Sequence, residues 1–93
     1  MDSSDAQYRL GDEYNFGLNT PKDGAKAVEW YQKAAEQGHI TAQLLLGIRH
    51  VSGLGAIRDK QKGCELILAA TEQGLHPEDK RLAIEFYNDF CVD

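Results

Sequence analysis

Residues 6–41 and 42–77 of this chain are two copies of one 36-residue pattern. Laid over one another without a gap, thirteen of the 36 positions are identical. They include Ala6/Ala42, Gln7/Gln43, Leu10/Leu46, Gly11/Gly47, Gly17/Gly53, Asp23/Asp59 and Lys26/Lys62, and Glu36-Gln37-Gly38 repeats as Glu72-Gln73-Gly74. A fixed period of this length marks a stacked repeat, in which no unit buries its apolar face until a neighbour covers it. The period also bounds the function, because stacked repeats present extended surfaces to partners.

Helical spacing fills in each copy. Ser4 with Gln7 has the spacing of a capping box, Ala6, Leu10 and Tyr14 recur every four residues, and Gly17 stops the pattern. Past Pro21, Asp23 caps a second helix whose apolar stripe is Ala27, Trp30, Tyr31 and Ala34, with Gly38 as its left-handed terminator. The second copy repeats the order, with helices near 41–52 and 60–73 separated by Gly53 and Asp59. His76-Pro77-Glu78-Asp79 opens a fifth helix over about 77–90, with proline and two acids in its first turn. The same 36-residue shift sets Leu82 on Leu46 and Ala83 on Gly47, so this helix reads as the first half of a third unit. Gly11 and Gly47 fall in mid-helix, where glycine costs about 1 kcal/mol against alanine. Their place predicts a closely approaching partner helix.

The chain of 93 residues, 42% hydrophobic and 27% charged, is an ordinary globular domain without a membrane-spanning apolar run. A net charge of −5 disfavours nucleic acid and favours a basic partner. The amino terminus MDSSDAQYRL lacks the features of a secretory leader, which predicts a cytoplasmic protein. Cys64 and Cys91 lie at unrelated phases of the period and read as two reduced thiols, with Cys64 partly buried and Cys91 in a tail. His39, His50 and His76 form no metal pair, and neither a phosphate loop nor a nucleophile with its base is present in the sequence. No cofactor and no enzymatic activity are expected. His50, at an inner position, reads as a hydrogen-bonded core or groove residue.

The residues Ala6, Leu10, Gly11, Tyr14, Gly17, Asp23, Lys26, Ala27, Trp30, Tyr31, Lys33, Ala34, Ala35, Gln37 and Gly38 resemble the Sel1-like repeat, a relative of the tetratricopeptide repeat. The second copy keeps Ala42, Leu46, Gly47, Gly53, Gly55, Asp59, Lys62, Ala70, Gln73 and Gly74 but has Leu66-Ile67 for the aromatic pair and His50 for tyrosine. The resemblance covers about residues 5–90. It implies an all-α, right-handed α/α superhelix of about two and a half repeats: one domain over 1–93, with repeat one at 5–40, repeat two at 41–76 and a carboxy-terminal capping helix at 77–90. Extracellular members of the family add cysteines that bridge each helix pair. This chain has none at such a spacing.

The resemblance also implies that the first helix of each pair lines a concave face. There the third helix departs from the first. It adds Leu44, Ile48 and Val51 where the first helix has Tyr8, Asp12 and Asn15 and the fifth has Lys80, Ile84 and Tyr87. Two readings stand. The stripe packs against the neighbouring helices, or it forms a partner groove with Tyr8, Asp12, Phe16, Ile84 and Tyr87. The expected function is protein–protein interaction through that face. A dedicated inhibitor or immunity protein neutralising a single toxin or enzyme is the alternative, and a homodimer through the fifth helix is a further expectation, from Phe86, Tyr87 and Phe90. The expected partner is another protein, of basic character, with neither nucleic acid nor membrane involved.

Overall fold

The computed structural model describes residues 3–92; Met1 and Asp2, which open the polar amino terminus, and Asp93 lie outside the described residues. Five helices follow one another: α1 (Ser4–Phe16), α2 (Gly24–Glu36), α3 (Ile40–Ser52), α4 (Lys60–Glu72) and α5 (Pro77–Phe90), with no strand among the described residues. The result is an all-α, superhelical stack of helix pairs.

The identical positions of the two copies do identical work. Asp23 caps α2 by accepting the Lys26 amide at 3.2 Å, and Asp59 caps α4 by accepting the Lys62 amide at 3.1 Å. The backbone N–H of each aspartate donates back to the end of the preceding helix, Asp23 to the Tyr14 carbonyl and Asp59 to the His50 carbonyl. Gln37 donates to the Gln7 side chain at 2.6 Å and Gln73 to the Gln43 side chain at 2.9 Å, closing the other end of each pair. Gly17 and Gly53, at φ 66° and 75°, terminate α1 and α3 in the left-handed conformation. The cap of α1 is Ser3 rather than Ser4: its hydroxyl accepts the Asp5 amide, which places Ser4 inside the first turn.

The two pairs close by different means. In the first, the Tyr31 ring lies flat on Gly11, where a Cβ would stand 2.5 Å from Cε1. The second has Ile67 in place of that ring and Gly63 in place of Ala27, so α3 and α4 meet backbone to backbone. A Cβ on Gly47 would stand 2.7 Å from the Gly63 carbonyl oxygen. A smaller side chain is therefore matched by a closer approach, and packing density is kept. The core that results contains Leu44, Val51, Ile67, Ala70, Leu75 and Ala83, with Ile40, Ile48, Phe86 and Tyr87 packed around it.

At α5 the 36-residue register holds at Ala83, which is buried as Gly11 and Gly47 are, while Leu82 is largely exposed where Leu46 is buried. α5 packs mainly on α4.

The cysteines are also not free. Cys64, in α4, and Cys91, at the carboxy-terminal cap of α5, form a disulfide with their Cα atoms 5.8 Å apart. Comparing phases within one repeat misses it because the bond joins separate units. α5 runs antiparallel to α4, which brings its last residue to α4's first turns.

Candidate partner-binding surface

Tyr8 on α1 organises the inner surface. Its ring stacks on His39 at a centroid distance of 4.6 Å and tilts against Tyr31 at 5.8 Å. His39 joins two elements: Nδ1 accepts the Ala42 amide at 3.1 Å and so caps α3, while Nε2 lies 3.1 Å from Asp5 on α1. This arrangement fixes the tautomer, with the proton on Nε2.

One turn along α1, Asp12 accepts a 2.6 Å hydrogen bond from the buried Tyr31 hydroxyl. Burial is the first reason that the Tyr31 hydroxyl titrates far above its ordinary value of 10.0, and the bond to Asp12 is the second. Tyr8 is raised too, by burial first, then by the negative charges of Asp12 and of Asp79 on α5. Arg49 of α3 donates to the Asn15 side chain of α1. The surface is aromatic and acidic.

Several of the candidate residues lie elsewhere. Leu44 and Val51 are core residues, 4% and 6% exposed, and no partner can reach them; Ile48 is half-buried against the same core. For these three the packing reading holds. Phe16 is exposed but lies at the last turn of α1, beside the loop that leads to α2. Ile84 lines a cavity of about 540 Å³ with Leu75, Pro77 and Lys80, and Tyr87 lines another of about 500 Å³ with Cys64, Leu68 and Cys91. Tyr8 and Asp12 stay together. The structure adds His39, which caps α3 and reaches Asp5, and Arg49, which donates to Asn15; both join residues far apart in the sequence. His50, at the tyrosine position, has Nδ1 3.1 Å from the Ile57 carbonyl, while its buried Nε2 has no partner among the described residues.

Paired helices that repeat at 36 residues, with a shared glycine contact and shared glutamine bridges, define a superhelical repeat protein of the tetratricopeptide-like class. The Sel1 repeat model matches residues 4–39, 40–75 and 70–88, and the chain belongs to the Sel1 repeat family. It is 41% identical over 56 residues to an uncharacterized Sel1-like repeat-containing protein of Schizosaccharomyces pombe, a match that spans 59% of this chain and 8% of that one. Among solved structures it is similar to a Sel1 repeat protein from Oxalobacter formigenes, with a TM-score of 0.72 and 36% identity over 75% of this chain and 29% of that one. It is also similar to a protective antigen present in uropathogenic Escherichia coli strains, displaying an SLR fold, with a TM-score of 0.74 and 40% identity over 77% of this chain and 15% of that one. The chain thus spans less than a third of the length of each of these relatives. Sel1 repeats generally mediate protein–protein interaction and are typically non-catalytic.

Proposed function

We propose that this chain is a protein-binding module that receives a basic, extended segment of its partner on the inner surface of α1, α3 and α5. The observation that carries the reading is the Tyr8 ring, stacked on His39 and tilted against Tyr31, whose hydroxyl bonds the Asp12 carboxylate; the charges of Asp12 and Asp79 both raise the Tyr8 hydroxyl. A lysine or arginine entering there meets an aromatic face and two negative charges at once. Tyr8, Asp12 and Asp79 are the residues assigned to contact.

Affinity capture from the native cell tests it, with wild type beside Tyr8→Ala and Asp79→Lys. Both variants are expected to lose the captured partner while far-UV circular dichroism stays unchanged. Capture undiminished in both would remove the inner surface from consideration. One dominant toxin or enzyme among the captured proteins supports a dedicated inhibitor, whereas several unrelated ones support an adaptor.

Self-association belongs to the same proposal, since Leu82, Ile84 and Phe90 leave α5 with exposed apolar side chains. A monomer by light scattering at high concentration removes it. The Cys64–Cys91 bond supports residence in an oxidising compartment, against the cytoplasmic setting expected from the amino-terminal residues.

A further inference from the structure

Helices α1 to α4 are laced together by polar side chains, and α5 is held differently. Tyr31 of α2 donates to Asp12 of α1, Arg49 of α3 to Asn15 of α1, and Gln43 of α3 to the Ala35 carbonyl of α2. Gln73, at the end of α4, donates to Gln43. Each of these helices also begins on a side-chain cap, from Ser3, Asp23, His39 or Asp59. α5 has neither feature. His76 makes no side-chain cap bond, and among the described residues no side chain of α5 hydrogen-bonds another helix.

Apolar contact holds α5 only in part. Ala83 is its one fully buried residue, while Leu82, Ile84 and Phe90 stay largely exposed. Phe86, Tyr87 and Cys91 pack half-buried against the core. A methyl group and two half-covered rings gain far less from burial than a full apolar helix face does. What α5 covers is more apolar than what it buries of itself: Leu44 and Val51 of α3 and Ile67 and Ala70 of α4 share the buried cluster with Ala83.

The remaining tie is the Cys64–Cys91 bond, which fastens the carboxy-terminal end of α5 to α4. Both cysteines are half-buried rather than enclosed, and they line a cavity of about 500 Å³ together with Gln61, Leu68 and Tyr87. A small thiol can therefore reach the sulfurs while the chain is folded. Residues 73–76, Gly74 among them, join the other end of α5 to α4 and supply a hinge.

We propose that the Cys64–Cys91 bond is a redox latch: a dithiol reductant opens it, and α5 then swings off α3 and α4 while the laced helices stay folded. A thiolate of the reductant attacks the Cys91 sulfur, a new S–S bond forms between them, and Cys64 leaves as a thiolate. The reductant's second thiolate attacks that mixed disulfide, frees Cys91 and closes the reductant as a disulfide. Two electrons pass from the dithiol to the cysteines, which take up its two protons. Opening uncovers Leu44, Val51 and Ile67, and it carries Asp79 away from Tyr8. A small disulfide, such as oxidised glutathione, takes the two electrons back and closes the latch. The latch does not depend on what the inner surface binds, so the two proposals fail independently.

Trypsin reads the state of α5 at Lys80 and Arg81, which a docked helix protects, with Lys26 and Lys33 of α2 as internal references. Adding a dithiol is expected to speed cleavage after Lys80 and Arg81 at least about tenfold, with cleavage in α2 unchanged and the fluorescence of an apolar-surface dye raised. Oxidised glutathione should restore slow cleavage. Cys64→Ser with Cys91→Ser should be cut rapidly in α5 with or without the dithiol. Equal cleavage of α5 in the oxidised and reduced chains overturns the proposal, because the helix then stays docked without the bond. So does acceleration in α2 that keeps pace with α5, because the bond then staples the whole fold.

Discussion

Gly47 and Gly63 touch through their backbones: a Cβ on Gly47 would lie 2.7 Å from the Gly63 carbonyl, and one on Gly63 would lie 2.5 Å from the Gly47 carbonyl. In the other repeat the corresponding obstacle is a side chain, the Tyr31 ring over Gly11. A backbone carbonyl held within a helix cannot step aside as a side chain can, so α3 and α4 would have to part.

Gly47→Ala tests that contact. Alanine should stabilise an isolated helix by about 1 kcal/mol, and overpacking costs about 1–3 kcal/mol. Because the obstacle is backbone, the upper part of that range applies, and the net expectation is a loss of at least about 1 kcal/mol. Urea unfolding measures it, through a lower midpoint at an unchanged slope.

The disulfide makes a second prediction. α5 rests mainly on α4 and touches α3 little, and 27 positions separate the bonded cysteines. Opening a loop of that length costs about 3.5 kcal/mol through the freedom it returns to the unfolded chain. A dithiol reductant, or Cys64→Ser with Cys91→Ser, should lower stability by about that amount. Hydrogen exchange should show α5 amides losing protection well before those of α1–α3. Uniform loss across all five helices would mean that α5 is integral to the stack without its clamp.

His39 is both cap and tie, through Ala42 and Asp5. His39→Ala is expected to cost about 1 kcal/mol, most of it from the cap. His39→Asn should restore the cap, since asparagine is a strong capping residue, without restoring the stack on Tyr8. Thermal unfolding of the two variants separates the contributions: near-complete recovery in the asparagine variant assigns the cost to the helix end.

All five helices were legible because their signals are local. Gly17 and Gly53 stop helices, Asp23 and Asp59 start them, and each acts within a few residues of itself. Period alone also foretold the close approach at Gly11 and Gly47. The cysteine bond was not legible in that way, since it depends on how one unit meets the next. In the candidate site, Leu44 and Val51 read equally well as core or groove, because an apolar stripe does not say what covers it. Tyr8 and Asp12 were named from the repeat's inner face, but their contacts with His39 and Tyr31 depend on how α1 meets α2 and the turn after it.

Tyr31 ties packing to pH. Its hydroxyl is held neutral by burial and by donation to Asp12, so its folded pKa lies above the ordinary 10.0. The stabilisation is fully present below the unfolded value and is lost as pH rises past it, because the unfolded chain then releases a proton that the folded chain keeps. Stability should therefore hold up to about pH 10 and fall steadily above it, with the similarly raised Tyr8 adding to the slope. Tyr31→Phe retains the ring on Gly11 but removes the proton and the bond to Asp12. It should cost about 1–2 kcal/mol at neutral pH and flatten the alkaline fall. Urea midpoints measured from pH 7 to above pH 10 check both effects, and an unchanged alkaline slope in the phenylalanine variant would mean that another group sets the limit.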